Sequence, residues 1–586
     1  MIRPWRPLPI VVPALALLRK LVSLTACAGF LAAIGIFLAI QSLLYGLGEI
    51  RPIPLADHWG FLGELRRWSD GRFTLSNLFQ QHNEHRIVTS RLGFFLDAHA
   101  FNMSNVSLVA TMYATLLGLA AAIVRLTFGP QGGWKAWGLA FPVCLGILWS
   151  PVQYGNLSWA FQPQFPYVHL FAALTIWAFA RLNKSESAQD FLRAAALLAL
   201  ADFLAVYSMV SGLFVIGPVI AVALWLRSRP RVWMTFLAIH STLMVAYFSG
   251  YSTALGHAMS VAPAKVLAYT LRYLGKGFDS TETVALAAGG IGMIVLLALS
   301  AGLLVQSLRK RPADPAIAVL LGCAGFVVME AVVTAVGRAE IAVGPAYIAI
   351  RYVTPSLMFW LALLGAVWRY LMMPGLGAAA GARIRVGLAA TAAWLLWATN
   401  YLGDPYTIWA LTNRDIDTAV FALVSGVESD TALKTLYPDP SAIRPAVQFM
   451  RTRQLGPFSP DDTRYALPIH SFQGLRRDRL QPCAGLIESM TSGDSSTRLS
   501  GWVGVKGSAA RHAPADWVAA YDPAGRMVGY TRPSILRPDA RFALKGTGRT
   551  YGFDFHVGAP QAAGLLLVAM GSQGSGFCTL RPQTVS

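Results

Sequence analysis

The stretch LVSLTACAGFLAAIGIFLAIQSLLYGL, residues 21–47, decides the fold class of this chain, because it contains no charged residue. It follows a basic N-terminal segment with Arg3, Arg6, Arg19 and Lys20. About 20 consecutive apolar residues are enough to cross the hydrocarbon core of a bilayer as a helix. The run is too long for the apolar region of a cleaved signal peptide, and it predicts a first transmembrane helix.

Ten further apolar runs have the length of a membrane span, and charged residues make up only 13% of the chain, against about 25% in soluble domains. The sequence therefore predicts a polytopic α-helical membrane protein with about eleven transmembrane helices. The further spans are predicted at roughly 106–128, 135–152, 164–182, 191–209, 211–226, 232–250, 284–308, 315–337, 347–371 and 386–402.

Basic residues lie mostly at the ends of these runs, which determines the predicted orientation. Loops on the cytoplasmic side of a membrane carry the excess of Lys and Arg. Placing the N-terminus in the cytoplasm puts Arg125, Arg181, Arg229, Lys310 and Arg369 in or beside cytoplasmic loops. Everything after about residue 403 is then periplasmic, and we expect a bacterial inner-membrane protein. The net charge of +19 follows this topology, so no nucleic-acid partner is predicted.

Two cysteines bracket the polar C-terminal region and test this orientation independently. Disulfides persist in the periplasm but not in the cytosol. A Cys483–Cys578 bridge is therefore predicted, with two unpaired thiols as the alternative.

Composition divides the chain into a membrane domain (residues 1–403), a connector (404–479) and a C-terminal domain (480–586). Short alternating strands separated by turn residues are typical of a β-sandwich, so residues 480–586 are predicted to form a periplasmic β-sandwich. The strands are predicted at Ser500–Val505, Trp517–Tyr521, Met527–Tyr530, Tyr551–Phe555 and Leu565–Ala569.

The first periplasmic loop, residues 48–105, is longer than a simple connection needs, and such loops are usually functional. Asp57 follows the first membrane helix closely and is the leading candidate for a general base. Glu84 is the second candidate, and His82 or His85 could orient a carboxylate or carry a proton. Alternatively, Asp57 caps a surface helix and residues 80–86 are a solvated polar face.

The loop also carries His58, His82 and Arg86, which we predict to bind substrate or its phosphate. Apolar spacing through Trp59, Leu62, Leu65 and Trp68 predicts a helix on the bilayer surface.

Further cations lie at the predicted outer surface and are candidates for binding a lipid phosphate. Guanidinium groups bind phosphate in a bidentate manner. Snorkelling of these side chains to the interface is the alternative. The candidate phosphate-binding residues are Arg272, Lys276, Arg338, Arg351 and the neighbouring Tyr352.

A metal site is left open by the sequence. His82, Glu84 and His85 are nitrogen and oxygen ligands, but their spacing differs from the two-histidine spacing of zinc hydrolases. A divalent cation such as Mg²⁺ or Mn²⁺, held with a phosphate by Asp57 or Glu84, is the alternative cofactor.

The run Ala56-Asp57-His58-Trp59, together with Gln81–Arg86, resembles bacterial members of the GT-C superfamily of membrane glycosyltransferases. The cytoplasmic N-terminus, long first outer loop, many spans and outer C-terminal domain are similar as well. The resemblance implies an inverting transfer of a sugar from a polyprenyl-phosphate donor to an envelope glycan, lipid or protein acceptor. Asp57 takes the position of the family's acidic base, and Arg351 that of a cation on the donor phosphate. The chain departs from the family's paired-acid motif, because His58 follows Asp57.

Two other classes of function stay open. One is a transporter or flippase of a lipid-linked glycan, although no inverted repeat is evident and Asp202 and Glu330 are the exceptional acids within the spans. The other is a non-catalytic envelope assembly protein.

Overall fold

The computed structural model describes most of the chain, and all candidate site residues fall within the described part. The basic N-terminal residues Arg3, Arg6, Arg19 and Lys20 lie outside it. The described residues are 24–129, 132–252, 262–278, 281–340, 349–372, 378–426, 430–462, 464–465, 471–472, 475–492, 497–506, 512–558, 564–572 and 576–580.

The longer helices of the described residues follow the predicted apolar runs, with additional helices between and after them. They are α1 (Leu24–Gly48), α2 (Trp59–Ser69), α3 (Val88–Ala100), α4 (Val106–Phe128), α5 (Gly133–Leu148), α6 (Gln164–Asn183), α7 (Ala188–Val206), α8 (Ile216–Trp225), α9 (Pro230–Phe248), α10 (Pro263–Gly275), α11 (Glu282–Leu308), α12 (Pro315–Arg338), α13 (Val353–Leu371), α14 (Ala378–Tyr401), α15 (Pro405–Ser425) and α16 (Pro440–Arg453).

Shorter helical segments connect or follow these helices. The four short α-helices are Leu75–Leu78, Tyr154–Leu157, Asp430–Leu433 and Pro538–Ala543. The 3-10 turns are Ala56–His58, Pro151–Gln153, Val210–Val215, Lys276–Phe278, Ile350–Tyr352, Gly456–Phe458 and Arg477–Arg479.

Within the described ranges, seven helical segments are long and apolar enough to cross a membrane: those of α1, α4, α5, α6, α11, α12 and α13. Large apolar side chains on them remain exposed, such as Phe30 (68%) and Ile294 (69%). Such exposure is costly in water but suits a lipid solvent. The chain is therefore a multi-pass membrane protein. Helices α7, α8, α9 and α14 occupy the other predicted spans.

The chain folds into two compact units that interleave in sequence. The first unit comprises residues 1–48, 75–92 and 109–406, and the second comprises residues 49–74, 93–108 and 407–586. The predicted boundaries placed the whole first loop with the membrane domain. Hydropathy identifies a loop but not the unit against which it packs, so this division could not be predicted from composition.

Helices α1 and α5 of the first unit approach closely at two glycines. A Cβ atom on Gly35 would lie 2.5 Å from the carbonyl oxygen of Pro142, and one on Gly146 would lie 2.7 Å from the carbonyl oxygen of Gly35. Small residues at helix crossings bring backbones together in membranes. Because both positions are glycine, the backbones of α1 and α5 can lie in direct contact.

Two four-stranded antiparallel sheets form the C-terminal part of the second unit, and all five predicted strands are present. In the first sheet β2 (Thr497–Lys506) pairs with β1 (Ala484–Ser492), β3 (His512–Pro514) and β6 (Gly552–Val557), with Leu499 opposite Phe555. In the second the order is β5 (Met527–Thr531), β4 (Trp517–Tyr521), β7 (Leu566–Met570), β8 (Phe577–Leu580).

Buried side chains from both sheets contribute to one hydrophobic core, including Leu499, Phe553, Val518 and Leu567. Cys483, just before β1, forms a disulfide with Cys578 of β8, with a Cα–Cα distance of 4.9 Å. The predicted disulfide is confirmed, and it joins the two sheets covalently.

Protein covers part of the apolar face of α2. Trp59, Leu62 and Leu65 are 5%, 2% and 4% exposed, and the ring of Phe61 packs on that of Phe95 at 5.0 Å. Trp68, the fourth residue of the predicted stripe, is 50% exposed. A position of this helix on the bilayer surface stays a prediction, because an amphipathic pattern indicates an apolar partner without saying whether it is lipid or protein.

Candidate functional site

Residues His82–His85, in the polar run of the first long loop, form a hydrogen-bonded turn. The backbone N–H of His82 donates to the carbonyl of His85 at 2.7 Å, and the N–H of His85 donates back at 2.8 Å. Asn83 adopts φ 48°, a left-handed conformation that Asn tolerates better than most residues. Glu84 therefore lies at a defined turn in the first unit.

The turn is anchored to the end of α9. The hydroxyls of Tyr247 and Tyr251 donate to the carbonyl of Glu84 at 3.1 and 3.3 Å. The guanidinium of Arg86 donates to the carbonyls of Tyr247 and Ser249, both at 2.7 Å, and also to that of Phe79. Arg86 was predicted to bind phosphate, but these carbonyls engage its donors, and we assign it to positioning the turn.

His85 is neutral at physiological pH. Its pKa is lowered to about 4, chiefly by burial, while Glu84 opposes this shift and Arg338, His82 and Arg351 contribute to it. Its Nδ1 accepts a hydrogen bond from the N–H of Val210 at 3.4 Å, which leaves the proton of the neutral ring on Nε2. Four other predicted site residues therefore lie close enough to His85 to affect its pKa. With His85 they are called here the arginine–histidine site: His82, Glu84, His85, Arg338 and Arg351.

The two arginines of this site come from consecutive helices. Arg338 ends α12, and Arg351 lies in the 3-10 turn before α13. Both are half-buried, and in the described parts of the chain neither guanidinium takes part in an ion pair or a hydrogen bond. Arg351 lies over the ring of Tyr352, with its Cζ 5.5 Å from the ring centroid. Both cations also affect Tyr269, whose pKa is raised first by burial and next by Tyr352.

A buried amide network holds the backbone of Arg351. Asn156 Nδ2 donates to the carbonyl of Arg351 at 2.9 Å and to Thr354 Oγ1 at 2.7 Å. The Thr354 hydroxyl in turn donates to Gln153 Oε1. Asn156 belongs to the run 154–164, whose amides and aromatics suit sugar binding or an interfacial belt, whereas Gln153 and Thr354 were not predicted from the sequence.

The same segment contacts the turn. Phe161 packs on His82 with ring centroids 5.2 Å apart, and Trp159 packs on Phe161 at 6.0 Å. The site therefore combines two cations, a carboxylate and a neutral histidine with aromatic and amide groups, which suits a phosphate-linked sugar.

Three other predicted residues are engaged elsewhere in the first unit. Arg272 forms an ion pair with Glu282, which neutralises its charge locally. Lys276 is only 8% exposed. Tyr352 packs on Tyr273 at 4.6 Å and forms one wall beside the arginines.

Asp57 and His58 belong to the second unit. Asp57 is half-buried in the turn Ala56–His58, and the N–H of Ala56 donates to the carbonyl of Leu436 at 2.8 Å. His58 is buried against Phe94, with ring centroids 4.7 Å apart. His58 was predicted to bind substrate, but its ring packs in the interior of the second unit, and we assign it to packing.

Glu330 and Asp202, the two acids noted within predicted membrane spans, are each paired with a buried histidine. Glu330 Oε2 lies 2.9 Å from His169 Nε2, and Asp202 Oδ2 lies 2.9 Å from His240 Nδ1. The other nitrogen of each ring contacts a backbone carbonyl, of Phe165 at 2.6 Å for His169 and of Leu213 at 3.0 Å for His240. A carbonyl requires a donor, so each histidine–carboxyl pair shares one further proton and is neutral overall.

Among the described residues, no group of three or more His, Cys, Asp or Glu side chains could hold a metal ion. No family model, curated protein or solved structure matches this chain.

Proposed function

We propose that this chain is a membrane glycosyltransferase of the GT-C type, which moves a sugar from a polyprenyl-phosphate donor to an envelope glycan, lipid or protein acceptor. The observation that carries the proposal is the arginine–histidine site, where Glu84, Arg338 and Arg351 each lie within electrostatic reach of His85.

The arginines bind the donor phosphate. As the acceptor hydroxyl attacks the anomeric carbon, a new carbon–oxygen bond forms and the bond to the phosphate oxygen breaks. The phosphate leaves with the electron pair, and its growing negative charge is stabilised by the two guanidiniums. Attack from the face opposite the leaving group inverts the anomeric centre.

The proton of the acceptor hydroxyl must go to a base, and two carboxylates are candidates. Asp57 has this role by resemblance to the family, and Glu84 is the carboxylate within electrostatic reach of His85. Neutral His85, with its proton on Nε2, orients the acceptor or the carboxylate by donating a hydrogen bond.

The proposal includes a bacterial inner-membrane location, eleven spans and a periplasmic C-terminal β-sandwich. The Cys483–Cys578 disulfide supports the oxidising side for the second unit. The donor would then enter from the outer leaflet.

A transfer assay with radiolabelled polyprenyl-phosphate sugars tests the proposal. Arg338→Gln combined with Arg351→Gln should lower transfer by about 10²–10³-fold, the usual cost of removing a transition-state donor. Lys265→Gln, which removes an exposed cation paired with Glu340, is the control. Full transfer by the double variant would contradict the assignment of Arg338 and Arg351 to binding the donor phosphate.

Proton-coupled transport of a lipid-linked glycan is the second candidate, because buried carboxyl–histidine pairs within helices are typical of proton pathways. It predicts that Glu330→Gln abolishes pH-driven glycan movement in vesicles, whereas a transferase would show no such movement in the unaltered protein.

A further inference from the structure

A second cationic cluster lies at the other end of the helices that build the arginine–histidine site. Helix α6 runs from Gln164, in the amide segment, to Asn183, and α12 runs in the opposite sense from Pro315 to Arg338. The 20 residues of α6 span about 30 Å, the thickness of a hydrocarbon core. The two ends are therefore separated by about one bilayer.

A cavity of about 320 Å³ opens at this second end, where α6, α8 and the α11–α12 connection meet. Its volume falls in the range of small-molecule sites, about 300–1,000 Å³. Four cations from three separate chain segments line it: Lys184, Arg227, Lys310 and Arg311.

Among the described residues no carboxylate lines the cavity, and two acids adjoining its segments, Asp314 and Asp190, are engaged elsewhere. Asp314 caps α12 through the N–H groups of Ala316 and Ile317, and it binds Arg369 Nε at 2.8 Å. Asp190 binds Arg181 at 2.8 Å. Among the described residues, the side chains of the four lining cations take part in no hydrogen bond or ion pair.

Like charges that converge without a counter-charge repel, and a bound anion relieves that repulsion. The walls of the cavity are partly apolar, including the buried Trp225 and the adjoining Leu226. Cations beside apolar walls at a helix end suit an amphiphilic anion, since basic pockets between membrane helices bind lipid phosphates.

We infer that this cavity binds a phosphate-bearing anion, either the headgroup of an anionic lipid or soluble phosphate. The site is separate from the arginine–histidine site and does not depend on the transferase activity proposed above.

Thermal unfolding of the full chain in nanodiscs tests the inference. Discs of phosphatidylcholine, discs with added phosphatidylglycerol, and phosphatidylcholine discs with inorganic phosphate form the three arms. If the bound anion is a lipid headgroup, discs with phosphatidylglycerol should have the higher melting temperature. If it is soluble phosphate, inorganic phosphate alone should raise the melting temperature.

The variant Lys184→Gln, Arg227→Gln, Lys310→Gln, Arg311→Gln should lower the apparent affinity for the stabilising anion by at least about tenfold. A matched variant removes four exposed cations of the second unit: Lys434→Gln, Lys506→Gln, Lys545→Gln, Arg479→Gln. It should keep the full shift.

If the first variant does not fold, the charge-preserving exchange Lys184→Arg, Arg227→Lys, Lys310→Arg, Arg311→Lys replaces it, and this exchange should retain the shift. Stabilisation lost equally in the matched control, or no stabilisation by either anion in the unaltered protein, would overturn the inference.

Discussion

Arg51 and Asp417 form a buried two-point ion pair although 366 positions separate them in the sequence, with Nε–Oδ1 at 2.6 Å and Nη2–Oδ2 at 3.0 Å. Arg532 Nη1 reaches Asp417 Oδ2 at 2.7 Å, and the hydroxyl of Tyr465 reaches Oδ1 at 3.0 Å. The carboxylate is 1% exposed. One acid thus joins three distant segments of the second unit.

Asp417→Asn should lower the free energy of unfolding of the second unit by up to about 3–5 kcal/mol, because it removes the two-point partner of the buried Arg51 and leaves the contact with Glu49 at 3.1 Å. Asp430→Asn is the control, since its ion pair with Arg444 is exposed and such pairs contribute at most about 1 kcal/mol. Denaturant unfolding followed by tryptophan fluorescence measures both. Equal small losses would mean that the buried pair is not a main support of the unit.

The same carboxylate predicts a pH dependence. Burial alone would raise the pKa of Asp417, but Arg51 and Arg532 hold it below its usual value. A lowered folded-state pKa gives stability that is present above the unfolded value of about 3.9 and is lost as pH falls through the folded value. Stability measured from pH 6 to pH 2 should show this loss, and Asp417→Asn should lack that component of the slope.

His85 should not titrate near its usual pKa of about 6.5. Its folded-state value of about 4 keeps the ring neutral from pH 5 upward. Because the arginine charges help lower it, Arg351→Gln should move the pKa of His85 upward, as followed by NMR of labelled histidine in detergent micelles. The Lys265→Gln control should leave it unchanged, and an unmoved value in Arg351→Gln would place Arg351 outside electrostatic reach.

The unfolded ring binds a proton near pH 6.5 and the folded ring only near pH 4, so the contribution of His85 to stability falls as pH decreases between these values. The variant His85→Gln should lose this part of the acid sensitivity.

Two glycines in one helix offer a matched test of the α1–α5 crossing. Gly35→Val should destabilise the first unit by at least about 1–3 kcal/mol, the range for overpacking, because its Cβ would overlap the backbone of α5. Gly29→Val meets no atom within 4 Å and should be tolerated. Thermal unfolding in detergent compares the two variants, and equal behaviour would contradict the close crossing.

Removing the disulfide should destabilise the C-terminal sheets by about 2–5 kcal/mol, since the bridge closes a segment with a sequence separation of 95. Cys483→Ser combined with Cys578→Ser, compared with the unaltered chain in reductant, measures the effect. Cys27→Ser, at an exposed free thiol, is the control. An unchanged melting temperature would show that the shared core alone holds the sheets together.

Hydropathy predicted a multi-pass membrane protein because long apolar runs have one dominant explanation, and in the described residues seven of the eleven predicted spans coincide with helices long and apolar enough to cross a membrane. Alternation with turn residues predicted the strands for the same reason. Neither pattern could show which polar side chains contact one another in the folded chain. Glu330 was evident as an acid in a span, but its partner His169 lies 161 positions away. Packing of α6 against α12, not local pattern, brings them together.

The candidate site was predicted in part. Arg338, Arg351, Glu84 and His85 were chosen by charge and position, and they belong to one cluster. Arg272 looked equivalent in the sequence, yet it is neutralised by Glu282, because the pairing of a cation depends on tertiary neighbours that no spacing records.

The interleaving of the two units has a consequence for synthesis. Residues 49–74 and 93–108 are made early, whereas the rest of the second unit begins at residue 407, so 407 − 108 = 299 positions of chain separate them. At about 5–20 residues per second, synthesis of the 366 positions from Arg51 to Asp417 takes roughly 18–73 s, and Asp417 cannot reach Arg51 before then. Until then residues 49–74 and 93–108 expose side chains that are buried in the folded unit, such as Arg51. We therefore expect a chaperone on that side of the membrane to bind these segments during synthesis.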